Sequence, residues 1–212
     1  MTNAVIVSAC RTPIGRFNGG LSKFSAPQLG AMAIKEALGR ASVKPEDIDE
    51  VIMGNVIQAG LGQNPARQAA LGGGVPPEVG AFTINKVCGS GLKAVMLAAQ
   101  AIRAGDADVI VAGGQESMTR APYLMPQARN GMRLGHGKLL DSMVHDGLWE
   151  IYNDYHMGET GELIADRCDV SREAMDAFAA ESHKRAHAAT ESGAFEDEIF
   201  PVEVKDRKGN VT

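Results

Sequence analysis

The sequence predicts an α/β protein with a largely parallel sheet, and three observations lead there. Short apolar runs alternate with segments of helical period over the first 115 or so residues, the pattern of βαβ units. Glycine is abundant at 25 residues while aromatics make up only 5%, which suits close packing of helices on a sheet. Residues 81–100 (AFTINKVCGSGLKAVMLAAQ) change period in mid-stretch. Their opening is β-branched and strand-like, and from Gly89 onward Leu92, Val95, Met96 and Ala99 recur at three- and four-residue spacing.

In chain order, residues 4–9 (AVIVSA) form a near-continuous apolar run, as expected of a strand buried on both faces. Arg11-Thr12-Pro13-Ile14-Gly15 breaks it with turn chemistry. Residues 26–39 read as a helix with Pro27 in its first turn, an apolar face of Leu29, Met32, Ala33 and Leu38, and Gly39 as the stop. A turn at Lys44-Pro45-Glu46-Asp47 leads to a strand over residues 51–57. A loop over residues 59–64 opens a short helix at Pro65, closed by Gly72-Gly73-Gly74. The 81–100 stretch follows, then a strand over residues 108–112 (DVIVA) running into Gly113-Gly114. Sites on parallel sheets gather at the carboxyl ends of strands. The Arg11 loop, the Gly60 loop, Cys88 and Gly113-Gly114 are expected at that edge.

Residues 118–149 show little periodicity and carry Arg120, Arg129, Arg133 and Lys138. A loop of this length is functional or an assembly element, and its cations either meet phosphates or are solvated. Residues 154–158 (DYHMG) precede a helix over residues 159–167. Ser171 caps an amphipathic helix whose inner face, Met175, Phe178, Ala179, Ser182, Ala186 and Ala189, is expected to be core. His183 and His187 stand at i, i+4, but no suitable carboxylate or cysteine joins them and Lys184-Arg185 would repel a cation, so no metal is expected. Residues 199–205 alternate like a strand. Residues 206–210 read as a hairpin turn, and Val211-Thr212 as a return strand cut short, so the sequence reads as truncated.

Composition narrows the function classes. At 212 residues and 44% hydrophobic, the chain makes one domain or one and a half. Net charge is −5 without a Lys/Arg block, which argues against nucleic acid. Residues 161–212 hold 12 acids and 7 bases, against 14 of each before them, so the acidic end reads as a solvated face. Cys10, Cys88 and Cys168 lie far apart with no C-x-x-C pair, which argues against disulfides and zinc and fits a reducing cytosol. Neither a leader segment nor an apolar run of about 18 residues is present, so no membrane is expected.

Cys88 is the candidate nucleophile. On a tight strand-to-helix turn it would lie beside helix-opening N–H groups that carry about half a positive charge and favour a thiolate. Glycines on both sides of Ser90 let a substrate approach the backbone. The competing reading is a cysteine that packs as a small hydrophobe, in a chain that serves as a non-catalytic assembly half. A third reading is dinucleotide binding. Gly89, Gly91 and Ala94 satisfy G-x-G-x-x-[GA] with Asp108 about 20 residues on, but Asp108 begins its strand where the ribose acid should end one.

The residues Asn85-Lys86-Val87-Cys88-Gly89-Ser90-Gly91-Leu92-Lys93-Ala94 resemble the nucleophile motif of the thiolases, acetyl-CoA acetyltransferases in particular. SACRTPIGRF, GQNPARQAA, AGGQESMTRAPY, YHMGETGE and SREAMDAFAAESHKRA resemble thiolase segments and occur in thiolase order. The resemblance implies a thiolase-like N-terminal βαβ domain with a mixed, mostly parallel sheet over residues 1–117. It also implies an inserted loop domain over residues 118–212, incomplete at its end, for tetramerisation and for covering coenzyme A, with the loop cations near its phosphates. Cys88 would be the acyl-thioester nucleophile, its own N–H helping to hold the oxyanion. His156 and Met157 of the short-chain YHMG segment, and Leu148 of DGLWEIY, would contact pantetheine and the acyl pocket. The reaction implied is condensation of two acetyl-CoA to acetoacetyl-CoA, or its reverse, in fatty acid metabolism, with no cofactor beyond coenzyme A thioesters as substrates. The partners implied are a homo-oligomer, a dimer of dimers, and a C-terminal half or second chain. Thiolases are about twice this length, and the activating His, the oxyanion Asn and the second Cys match nothing here. Cys10 and Cys168 match no catalytic position and read as structural. The chain alone is therefore expected to be inactive, and to expose apolar surface on the helix that opens at Gly89.

Overall fold

The computed structural model describes residues 3–205 and 209–210. The predicted turn over residues 206–210 and return strand at 211–212 lie largely outside them. The core is a three-stranded parallel sheet in the order β2-β1-β3, formed by β1 (Glu50–Gly54), β2 (Gly80–Ile84) and β3 (Ile110–Gly114). Parallel register runs from Glu50 opposite Gly80 and Ile110 to Gly54 opposite Ile84 and Gly114. Asn55 continues the ladder by donating its N–H to Ile84 O at 3.0 Å.

The middle strand explains the layering. Val51 and Met53 point to one face, where Ile34 and Leu38 of α1 (Ala26–Ala41) and Ala66, Ala69 and Ala70 of α2 (Pro65–Gly72) cover them. Ile52 points to the other, against Ala94 and Ala98 of α3 (Ser90–Ala104). A strand buried on both faces needs no alternation, and Val51, Ile52 and Met53 show none. Local chemistry sets the helix ends. Ser25 caps α1 in a full capping box with Gln28, and Asn64 caps α2 by accepting from the Arg67 N–H. The face α1 buries is Ala26, Pro27, Gly30, Ile34 and Leu38, one position removed from the Leu29/Met32/Ala33 face read from the sequence.

Three sequence expectations are corrected. Residues 4–9 form no strand: they have no regular secondary structure and no ladder partner among the described residues, and Val5, Ile6 and Val7 are each at least 70% exposed. They face the free edge of β3 across an apolar cavity of about 460 Å³ whose walls include Val7, Cys10, Val111 and Gly113. Among the described residues no strand pairs the backbone groups on either side. Residues 199–205 are likewise no strand. Ile199 forms a single parallel bridge to Arg11, and the Arg11 guanidinium pairs with Glu198 at 2.6 Å and lies over Phe195.

The third correction concerns α6 (Arg172–Glu191). It is capped by Ser171 as expected, yet none of its residues is buried and Phe178 is 79% exposed. No other helix or strand of the described residues packs extensively on it, so the face expected to be core is not core here. Residues 118–149 are also more ordered than their lack of period implied. Two short strands, β4 (Tyr123–Leu124) and β5 (Leu140–Asp141), pair antiparallel, and α4 (Ser142–Gly147) follows at once. Ser142 locks this unit by donating both its N–H and Oγ–H to Pro122 O.

Candidate active site

Three loops leave the carboxyl edge of the sheet, and each carries a polar residue that the strand before it aims there. Asn55 follows β1, Asn85 and Cys88 follow β2, and Gln115 and Glu116 follow β3.

Cys88 sits on a turn two residues before α3, exposed to solvent. Two side chains fold that turn. Asn85 Oδ1 accepts the Val87 N–H at 2.8 Å, and Ser90 Oγ accepts the Lys86 N–H at 2.8 Å while donating to Val87 O at 2.6 Å. The result holds Val87 at φ 47°, a left-handed conformation that a β-branched residue adopts only when its surroundings force it. Forcing is visible in the packing. A Cβ on Gly54 would lie 2.6 Å from Ser90 C and 2.7 Å from Gly91 N, and one on Gly114 would meet Gly91 Cα at 3.4 Å. The glycines thus let α3 start in contact with the sheet, and its Gly89 N-cap brings no side chain of its own to the first N–H groups. No side chain among the described residues hydrogen-bonds the Cys88 thiol.

Glu116 was not singled out by sequence reading. It is half-buried, and burial pushes its carboxyl above the ordinary range, opposed by the N–H groups of Val56, Ile57 and Ser117 and by the Asn55 amide. Its Oε2 accepts from Val56 N at 2.8 Å and Ile57 N at 3.3 Å, and its Oε1 from Asn55 Nδ2 at 2.8 Å. The available signal was a carboxylate two residues after an apolar strand that ends in Gly113-Gly114, where solvation is poor.

Leu148, His156 and Met157 come together on one small hairpin. β6 (Trp149–Glu150) pairs with β7 (Tyr155–His156), setting Trp149 opposite His156, and the Met157 N–H donates to Leu148 O at 2.8 Å. His156 is also the N-cap of α5 (Met157–Cys168): its Nδ1 accepts the Gly158 N–H at 3.0 Å, which leaves Nε2 as the free ring nitrogen. The sequence reading missed this capping role.

The remaining candidates fall elsewhere. Arg120, Arg129, Arg133 and Lys138 are exposed and pair with no acid among the described residues. Cys10 is half-buried and donates to Ala33 O at 3.3 Å, and burial pushes its thiol up, with Arg40 opposing. Cys168 is exposed at the end of α5, so no packing role is seen for it. His183 and His187 are exposed on α6, and no cluster of metal-ligating side chains exists among the described residues. Asp108 gives its N–H to Asp49 at the amino end of β3, at the opposite edge of the sheet from Gly89 and Gly91. The ribose acid and the glycine turn of a dinucleotide site are thus not brought together. Among the described residues no helix is long and apolar enough to cross a membrane.

Comparison with known proteins places these residues in a family setting. Residues 4–212 match the family model for the thiolase N-terminal domain. The chain is 59% identical to an acetyl-CoA acetyltransferase of Cupriavidus necator over 99% of its own length and 53% of the relative's. It is 57% identical to one of Pseudomonas aeruginosa and 56% to one of Escherichia coli, over 99% and 98% of its length and 53% of each relative's. The chain therefore spans about half the length of the curated relatives it matches.

Proposed function

The chain belongs to the thiolase family, and on that premise we propose that it supplies the nucleophilic half of an acetyl-CoA acetyltransferase. The observation that carries this reading is the exposed Cys88, held by Asn85 and Ser90 on a strained turn at the start of α3 within a thiolase N-terminal match. The reaction is condensation of two acetyl-CoA to acetoacetyl-CoA and coenzyme A, or the reverse thiolysis. Short acyl groups fit the names of the relatives.

In this reading the Cys88 thiolate attacks the acetyl-CoA carbonyl carbon. A C–S bond forms to Cys88 as the bond to the coenzyme A sulfur breaks, and coenzyme A leaves. The tetrahedral oxyanion is met by N–H groups at the turn, that of Cys88 among them. A second acetyl-CoA then loses an α-proton to a base. Its carbon attacks the acetyl-Cys88 carbonyl, and the Cys88 sulfur departs with the electron pair. Leu148, His156 and Met157 contact the pantetheine arm, and the loop cations lie near coenzyme A phosphates. No residue of this chain matches the family's base, so the second half-reaction uses groups from a C-terminal half. The same half covers Leu92 and Met96 of α3, which are 69% and 53% exposed. The working protein is then a cytoplasmic homo-oligomer, a dimer of dimers.

Thiolysis of acetoacetyl-CoA tests this, followed by loss of its enolate absorbance. The chain alone should turn over no faster than its Cys88→Ser variant. Adding the separately produced remaining half of the Cupriavidus necator relative should restore turnover in the wild type only. Full activity of the chain alone, or restored activity in Cys88→Ser, would sink the reading.

A further inference from the structure

We infer that Glu116 is a positioning residue that fixes the Cys88 turn and the Leu148–Met157 hairpin relative to each other through the loop at Asn55, Val56 and Ile57. This rests on the proposed role of Cys88. The loop touches both sides. Toward the nucleophile, Val56 O accepts from Asn85 Nδ2 at 3.4 Å, and the same Asn85 holds the Val87 N–H. Toward the hairpin, Ile57 is buried and its Cδ1 lies 3.5 Å from where a Cβ on Gly147 would stand, one residue before Leu148. The loop has no ladder of its own beyond Asn55, and the N–H groups of Val56 and Ile57 both end on the Glu116 carboxylate. Glu116 is thereby the anchor that gives a short irregular segment one conformation.

The donor set makes a specific forecast about substitution. Asn55 is 1% exposed, and its Oδ1 is buried without a partner among the described residues. A glutamine at 116 keeps one oxygen for Val56 and Ile57 and offers its Nε2 to Asn55, whose amide flips to present Oδ1. The neutral side chain also avoids the cost of burying charge. Glu116→Gln should therefore preserve the anchor, while Glu116→Ala leaves two part-buried N–H groups without their acceptor.

Iodoacetamide alkylation of the 212-residue chain, with Cys88 and Cys168 followed separately by peptide mass, tests this alongside amide hydrogen exchange. Wild-type Cys88 should react faster than Cys168. Glu116→Ala should slow Cys88 about tenfold and leave Cys168 unchanged, with faster exchange at residues 55–57, 85–89 and 147–149 only. Glu116→Gln should stay within about twofold of wild type. Asn85→Ala, at an exposed position, should slow Cys88 at an unchanged melting temperature, which keeps the test sharp if Glu116→Ala fails to fold. A fast wild-type Cys88 with no change in Asn85→Ala, or Glu116→Gln as slow as Glu116→Ala, overturns the positioning role alone. A wild-type Cys88 no faster than Cys168 overturns both it and the nucleophile reading.

Discussion

The inward and outward sides of α3 belong to one helix and differ in almost every respect. Inward, Ser90, Ala94 and Ala98 are buried and small, Ala94 and Ala98 seated on Ile52, with glycine against glycine where the helix begins. Outward, Leu92 and Met96 stand largely in solvent, and Val95, Ala99 and Ile102 line the apolar cavity between residues 4–9 and β3. The inward side is built from contacts between neighbouring βα units, and it is complete among the described residues. The outward side has the composition of an interior without its partner. The turn at Cys88 is formed by the inward side, while Leu92 and Met96 of the outward side stay exposed.

The comparison is broken most severely at Gly54. Gly54→Ala drives a methyl into the backbone of Ser90 and Gly91, with no flexible side chain to give way. It should cost about 3 kcal/mol in denaturant unfolding and abolish acyl transfer to Cys88. Next comes Ser90→Ala, which leaves the Lys86 N–H and Val87 C=O without their shared hydroxyl. A loss of about 1–2 kcal/mol is expected, with slower Cys88 alkylation.

Outward changes should do the reverse. Leu92→Ser with Met96→Ser should move the unfolding free energy by less than about 0.5 kcal/mol, because nothing is packed there to lose. The pair should raise the concentration at which light scattering first reports aggregation. A large loss of stability would show that the outward side is covered in solution.

The smallest effect is electrostatic. The N–H groups of Val109 first and Asp108 second hold the Asp49 carboxyl below its ordinary range, tying the starts of β1 and β3. A depressed carboxyl contributes stability that is present above its unfolded pKa and is lost as pH falls through the folded one. Acid unfolding followed by circular dichroism should therefore show a shallower low-pH limb in Asp49→Asn, with a slightly lower melting temperature at neutral pH.

What was legible in the sequence follows the same division. The β–α alternation, the Ser171 cap and the turn at Cys88 are local, and each element from α1 to β3 lies within a few residues of its expected bounds; the Ser25 capping box was as local but was not read. Residues 4–9 read as a buried strand because their composition is that of one, yet composition cannot supply the neighbour that would make it a strand. Phe178 and its helical partners failed for the same reason: amphipathicity says that a face wants cover, not that cover is at hand. Leu148, His156 and Met157 were reached only through family resemblance, since a two-residue hairpin leaves no periodic trace. Glu116 escaped because its role depends on which loop folds over it, a long-range property that no spacing encodes.

The most direct test of the central claim is the mass of the protein after brief exposure to acetyl-CoA, with the adduct located by peptide mapping. The account predicts one acetyl group, on Cys88, absent from Cys88→Ser and reduced in Ser90→Ala. Acetylation at Cys168 or Cys10 with Cys88 untouched, or an equal adduct in Cys88→Ser, would contradict it.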